Sequence, residues 1–273
     1  MKRHILILAT VIISMAFVSC TITVDGETFG GKTIKGDGNI VTQNYTVSAF
    51  NEISTSLPAT VNFTVADEYT CSVRVDENIL EYLDIKVDEH DLVLKRQDQH
   101  KNINLHATEF VIEVTAPSLE DINLAGSGTL NVLSPMEGEE LEVNLAGSGD
   151  IVFNETVNVQ EVELNVAGSG NIDCNELLAD KLDANVAGSG DLTVKTGNVR
   201  KAEASVAGSG DCVLTCEIKA LEANIAGSGD IKARVNDKLE YSIVGSGDIA
   251  YYGNPSVVQG DKVGSGSVTR LDE

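Results

Sequence analysis

The chain of 273 residues contains no Trp, and aromatic residues make up only 4% of it. Its 42% of hydrophobic residues must therefore build an aliphatic core of Val, Leu, Ile and Ala. Basic residues are scarce, 19 against 42 acidic, for a net charge of −23. Phosphate binding draws on Lys and Arg, so this balance excludes a nucleic-acid partner. Histidine is nearly absent: His4 lies at the N-terminus, and His90, His100 and His106 precede the repetitive half. That half thus lacks the commonest general base. Helical periodicity is missing from the repetitive half. The apolar stretch from Ile5 to Val18 is too short to span a bilayer.

That stretch reads as a secretory signal: basic Lys2 and Arg3, the apolar run, small Ser19 and then Cys20. The ending Phe17-Val18-Ser19-Cys20 resembles a bacterial lipoprotein box with Phe at its first position. The expectation is cleavage after residue 19 and lipidation of Cys20, a tether rather than a span. The plain alternative is an ordinary cleaved signal that happens to hold a cysteine. Removal of residues 1–19 leaves 17 basic against 42 acidic residues, a net −25. Solubility and mutual repulsion at a crowded surface account for such a charge. Cation binding is the functional alternative. The other cysteines, Cys71, Cys174, Cys212 and Cys216, would suffice for two disulfides, but Cys174 and Cys212 occupy aliphatic columns, and buried thiols are expected.

A repeat dominates the second half. The triplet GSG begins at Gly126, Gly147, Gly168, Gly188, Gly208, Gly227, Gly245 and Gly264, at intervals of 21, 21, 20, 20, 19, 18 and 19. Two residues before it stand Leu124, Leu145, Val166, Val186, Val206, Ile225 and Ile243; four before stand Ile122, Val143, Leu164, Ala184, Ala204, Ala223 and Tyr241. The opposite parity is polar. Five before the triplet every one of the first seven copies is acidic: Asp121, Glu142, Glu163, Asp183, Glu203, Glu222 and Glu240. Three before stand Asn or Ser, from Asn123 to Ser242. This is a strand with one buried face. A second short strand follows GSG, its first buried position held by Leu130, Ile151, Ile172, Leu192, Cys212, Ile231 and Ile249. One register reused eight times with the same face buried is the mark of a parallel β-solenoid with coils of about 20 residues. Coils stacked at about 4.8 Å raise seven intervals by roughly 34 Å. Right-handed winding is the expectation for parallel crossovers.

GSG is then the corner. A sharp turn stacked on its own copy needs positive φ and no Cβ, which Gly supplies at Gly126/Gly128, Gly147/Gly149, Gly168/Gly170, Gly188/Gly190, Gly208/Gly210, Gly227/Gly229 and Gly245/Gly247. The intervening serines would form a hydroxyl ladder.

Four segments follow from this reading: a signal over 1–19, a flexible tether over 20–44, a β-rich N-terminal part over 45–116, and the GSG solenoid over 117–273. Strands are expected at 47–54, 60–65, 70–75, 83–87, 91–95 and 109–115, a short helix over Asp76–Tyr82, and a polar mobile loop over 96–106. The β-rich part either caps the open sheet edge of the first coil or forms irregular early coils.

The Phe50…Ile53 start, DENIL at 76–80, DLVL at 91–94, the step ending Pro117-Ser118-Leu119, the GSG repeats and the ending YYGNP at 251–255 together resemble the auto-transporter adhesin, head GIN domain family. The resemblance spans about residues 45–268. It implies a right-handed parallel β-helix, secreted or lipid-anchored as in the Bacteroidetes, and it brings no catalytic residues to carry over.

For an enzyme, an active site would break the repeat, whereas here the acids obey it; no catalytic residue is assigned. For a metal, the position after GSG reads Thr129, Asp150, Asn171, Asp191, Asp211, Asp230, Asp248 and Ser267. Stacked carboxylates repel, so Asp150, Asp191, Asp211, Asp230 and Asp248 are candidate ligands for weakly bound Ca²⁺, against turn chemistry as the plain alternative; no other cofactor is expected. The functional expectation is a non-enzymatic lipoprotein of the cell envelope, on either face of the outer membrane, acting as an adhesin or binding surface for an envelope, matrix or host component and touching the membrane through its lipid alone. Its alternatives are a Ca²⁺-binding structural protein and, behind that, a polysaccharide-active β-helix enzyme.

Overall fold

The computed structural model describes residues 32–100 and 102–272, so the signal, its cleavage site and Cys20 lie outside the described residues. The chain is a β-solenoid of about eight turns. Nine strands precede the repeats: β1 (Thr33–Lys35), β2 (Ile40–Tyr45), β3 (Glu52–Thr55), β4 (Thr60–Val65), β5 (Thr70–Asp76), β6 (Leu83–Asp88), β7 (Asp91–Arg96), β8 (Asn104–His106) and β9 (Phe110–Ala116). The repeats supply β10 (Asp121–Gly126), β11 (Thr129–Val132), β12 (Met136–Gly147), β13 (Asp150–Gly168), β14 (Asn171–Gly188), β15 (Leu192–Gly208), β16 (Cys212–Gly227) and β17 (Ile231–Gly245). The last coils are β18 (Ile249–Tyr252), β19 (Val257–Gly264) and β20 (Val268–Arg270).

From β10 onward every pairing is parallel and in register, each GSG facing the next: Gly147 opposes Gly168, Gly168 opposes Gly188, Gly188 opposes Gly208. The return segment, variable in sequence, is strand as well, so β13 runs for 19 residues around a corner. Register shifts between Phe153 and Thr156, and between Val194 and Asn198, are where successive coils lose a residue. The shrinking interval is thus absorbed on the return side, leaving the acidic and corner columns undisturbed. The aliphatic columns face inward as the period of two requires: Ile122, Val143, Ala184, Ala204 and Ala223 are fully buried, with Phe63 and Phe153 filling the wider part.

The N-terminal part does both things the sequence left open. β3 and β4 form a genuine coil, parallel to β10 and β11, with Ser56–Ala59 in place of GSG. β7 and β9 stack on the far side of that coil, so the chain lays down its second coil before its first. Beyond them β5 runs antiparallel to β9, β2 antiparallel to β5, and β6 antiparallel to β7. These reversed strands cover the edge of the outermost coil, and the ladder ends on β2 and β6, each paired on one side only.

Three expectations change. The tether expected over 20–44 includes β1, paired with β8, and β2. Its anchor is Asp76, which is fully buried and accepts the backbone N–H of Gly38 and of Thr108, both at 2.7 Å; no motif advertises that role. The helix over 77–82 is a 3₁₀ helix. The loop expected to be mobile holds a 3₁₀ turn at Asp98–His100 and strand β8, with Arg96 donating to the carbonyl of Ile103 at 2.7 Å.

Candidate functional site

The outer face of the first-strand sheet carries the largest organised array of polar chemistry. The acidic column extends beyond the repeats. Asp91 on β7 opposes Glu52 on β3, Glu52 opposes Asp121, and the ladder continues through Glu142, Glu163, Asp183, Glu203 and Glu222 to Glu240. Nine carboxylates thus stand in one row at the spacing of strands, about 4.8 Å. Sequence reasoning missed Asp91 and Glu52 because neither precedes a GSG; their strand partners were invisible without the crossed order of the early coils.

What makes such a row tolerable is the neighbouring column. Asn144 Nδ2 donates to Asn123 Oδ1 at 3.1 Å and to Glu142 Oε1 at 2.8 Å. Asn165 Nδ2 donates to Asn144 Oδ1 and to Glu163 Oε1, both at 3.0 Å. Asn185 continues the ladder onto Asn165 at 3.0 Å. Asn144 and Asn165 therefore link coils through one bond and satisfy lone pairs of their own strand's carboxylate through another. Lysines enter only lower down: Lys181 lies 2.6 Å from Asp183, and Lys238 lies 2.7 Å from Glu240.

The upper end of the row has no such relief. A recess of about 580 Å³ there is lined by Glu52, Glu120, Asp121, Glu137, Glu139, Glu140 and Glu142, with no basic side chain among its walls. Burial, together with Glu142 and Glu52, pushes the Asp121 carboxyl up to about 6, against the hydrogen bond from Asn123. Burial and its neighbours Glu222 and Asp183 also raise Glu203. At the head of the row, Asp91 Oδ1 is buried without a hydrogen-bond partner.

The candidate Ca²⁺ column, Asp150, Asp191, Asp211, Asp230 and Asp248, lies on the far side of the corner and does something else. The backbone N–H of Asp211 donates to Asp191 Oδ1 at 2.9 Å, that of Asp230 to Asp211 Oδ1 at 2.9 Å, and that of Asp248 to Asp230 Oδ1 at 2.8 Å. Asn171 takes the same part, accepting from the N–H of Asp191 at 3.1 Å and donating its own N–H to Asp150 at 3.2 Å. The side chain reaches across coils rather than closing a local turn. Among the described residues no group of three or more His, Cys, Asp or Glu side chains is placed to hold a metal ion.

The two glycines of each corner have different reasons to be glycine. The first ones, Gly126, Gly147, Gly168, Gly188, Gly208, Gly227 and Gly245, have the positive φ expected of them, from +118° at Gly126 to +140° at Gly227. The second ones correct the expectation: Gly128, Gly149, Gly170, Gly190, Gly210, Gly229 and Gly247 do not have positive φ. They are buried, and what they need is clearance. A Cβ on Gly149, Gly170, Gly190, Gly210, Gly229 or Gly247 would land on the carbonyl oxygen of the second glycine one coil earlier. A Cβ on Gly128 would land on the carbonyl oxygen of Leu57, in the coil that has no GSG. The first glycine thus turns the chain and, from Gly147 to Gly245, also needs clearance from the first glycine of the coil before, whereas the second needs clearance alone.

The serine ladder is made by backbone rather than by hydroxyls. Ser169 N–H donates to the carbonyl of Gly147, and Ser189 N–H to that of Gly168, both at 2.8 Å. Among the described residues a hydroxyl-to-hydroxyl bond joins only Ser265 to Ser246 within these corners. The three described histidines all lie in the capping region, His100 stacked edge-on to Tyr82.

Fold and face together define a parallel β-solenoid with a regular acid-and-asparagine surface. The chain belongs to the family described as "Putative auto-transporter adhesin, head GIN domain", whose model matches residues 49–154 and 142–255. Among solved structures it resembles a "Putative lipid binding protein" from Parabacteroides distasonis, at 33% identity and a TM-score of 0.84, over 88% of this chain and all of that one. A "putative adhesin" from the same organism matches at 30% identity and 0.81, and one from Parabacteroides merdae at 26% and 0.79, each over 88% of this chain and all of its own. A comparison with curated proteins returns no match. Among the described residues no helix is long and apolar enough to cross a membrane.

Proposed function

We propose that the chain is a non-catalytic binding scaffold of the cell envelope, exported, held by a lipid on Cys20, and presenting its acid-and-asparagine face to an envelope, matrix or host-surface component. One observation carries this reading. Nine carboxylates in register from β7 to β17, flanked from Asn123 to Asn185 by an amide ladder, offer the same acidic chemistry at a constant spacing. An active site concentrates differing groups in one coil; a repetitive face suits a repetitive or extended partner bearing cations and hydrogen-bond donors. The adhesin description of the family and of two similar solved structures supports the same reading.

The test is capture from solubilised envelope and from host-surface extracts by the full-length chain, alongside a variant carrying Glu142→Lys, Glu163→Lys and Glu203→Lys. The native face should retain a component that the charge-reversed face loses. Equal capture by both would remove the face from the function. Palmitate incorporation that disappears in Cys20→Ser tests the anchor, and protease shaving of intact cells tests which side of the outer membrane carries the domain.

A further inference from the structure

The two ends of the solenoid are built differently. At the N-terminal end the sheet finishes in antiparallel strands, β2 on β5 and β6 on β7, whose large apolar side chains are not exposed. At the other end β19 pairs with β17 on one side, and among the described residues no strand lies on its other side. All eight residues of β19 are exposed. Of the six exposed large apolar side chains among the described residues, four gather here: Val244, Val257, Val258 and Val263. Such clustering on one end marks an interaction surface.

The charge pattern changes at the same coil. The nine-carboxylate row ends in Gln259, which donates to Glu240 at 2.7 Å. The inter-coil Asp ladder ends in Ser267, whose N–H and hydroxyl both donate to Asp248 Oδ1, at 2.7 and 2.8 Å. Neither ladder therefore presents a carboxylate at the open end. The inward column changes too, with Lys262 opposite Ile243. A further coil in the parallel register would have to cover that charge, which disfavours continuation of the stack.

An antiparallel neighbour covers the same lysine, but about one axis it can set every side chain of the strand opposite a compatible one. Strand β19 reads V-V-Q-G-D-K-V around Gly260. A two-fold axis at Gly260 sets Val257 opposite Val263 of the second copy and Gln259 opposite its Asp261 on the outer side, with Val258 opposite its Lys262 on the inner side. Every pair is apolar, hydrogen-bonding or free of like charges. Sliding the axis to Asp261 puts that carboxylate opposite itself, and a slip of one residue reverses the faces.

We propose that the C-terminal coil is a self-pairing surface, on which two copies of the chain join end to end through antiparallel β19 strands about a two-fold axis at Gly260. The interface is isologous, so one substitution acts twice.

The test uses the full-length chain in nonionic detergent. Val257→Cys combined with Val263→Cys should give a covalent dimer on mild oxidation, reversible by thiol, while either single variant gives none; the four described native cysteines are buried. Sedimentation should show a monomer–dimer equilibrium that Val263→Lys weakens by at least roughly tenfold, with the melting midpoint unchanged. A native chain that stays monomeric at every concentration overturns the proposal. So does a dimer that survives Val263→Lys, or one that cross-links in the Val257→Cys single variant. A monomer in which the β19 amides that point away from β17 resist hydrogen exchange overturns it too, since another segment or partner then covers the edge.

Discussion

The backbone N–H of Asp230 donates to Oδ1 of Asp211, one coil earlier, at 2.9 Å. This contact assigns the aspartate after GSG a structural task, since a carboxylate oxygen takes up an edge amide that the corner leaves without a carbonyl. Removing the acceptor should cost about 1 kcal/mol per site, the usual worth of such a bond. Asp211→Ala is therefore expected to lower thermal stability. Asp211→Asn should change it by less than about 0.5 kcal/mol, because Asn171 already fills the same position in the native chain. The same comparison tests Ca²⁺. A ladder committed to backbone amides should show no rise in melting temperature with added Ca²⁺ and no loss on chelation, whereas a calcium ladder would respond to both and would suffer from Asp211→Asn.

Glycines of positive φ differ sharply in what they tolerate. At Gly188, φ is +133° and an added Cβ would land on the carbonyl oxygen of Gly168 in the coil before. Neither atom is a flexible side-chain tip, and the same contact recurs above and below. Gly188→Ala should cost about 3 kcal/mol or more, by strain and by prising two coils apart. Gly38 also has positive φ, +82°, but nothing lies within 4 Å of its Cβ position. Gly38→Ala should cost only about 1 kcal/mol, the left-handed penalty itself. Chemical denaturation of the two variants measures the difference.

The repetitive half was readable because periodicity two, a corner triplet and a near-constant interval all point to one register. Ile122, Val143 and Leu164 face inward as their column demands, and Gly168 opposes Gly188. The triplet itself was only half legible: two glycines in one turn look alike in sequence, and only the structure shows that both need clearance from the coil before while the first alone has positive φ. Coil β3–β4 was legible as strands and not as a coil, since Ser56–Ala59 shares no GSG triplet. The crossed order of the first two coils left no trace in local pattern, because stacking of β7 on β3 is a long-range choice. For the same reason Asp91 and Glu52 could not be joined to the acidic row. The Asn and Ser columns were visible, yet their bonding was not. Amides make the ladder while most corner serines leave it to backbone, because the longer Asn side chain holds its donor and acceptor on separate atoms that reach the coils on either side.

The four described cysteines are free and buried. Burial pushes Cys71, Cys174, Cys212 and Cys216 each up to about 12. A thiol must ionise to react. None should be modified by iodoacetamide or an aromatic disulfide in the native state at neutral pH, and all four should react together once denaturant unfolds the chain. Stepwise labelling below the unfolding transition would mean that coils open independently. Cys212→Val should fold normally, since its column otherwise holds Leu192 and Ile231.

The acidic row makes stability depend on pH in an unusual direction. Asp121 holds its proton up to about 6 in the folded chain, against an ordinary 3.8. Between those values the native state binds more protons than the unfolded one, so stability rises as pH falls through that window and is fully gained below it. Glu203, raised by burial and by Glu222, adds to the same slope. Two carboxyls oppose it at lower pH. Burial favours the neutral form of Asp76, but hydrogen bonds from Thr108 and Gly38 hold it below its usual range. Lys238 does the same for Glu240. Their contributions are lost as pH falls through their lowered values. Melting temperature should therefore climb from pH 7 toward pH 5, level off, and fall again below the usual carboxylate range. Asp121→Asn removes the charge at the same shape. It should stabilise the chain at pH 7 by about 1 kcal/mol, after allowing for solvent screening of a partly exposed group, and flatten the rise on acidification. A melting temperature that declines steadily from pH 7 to pH 5 would mean that the row carries its repulsion without cost to the fold.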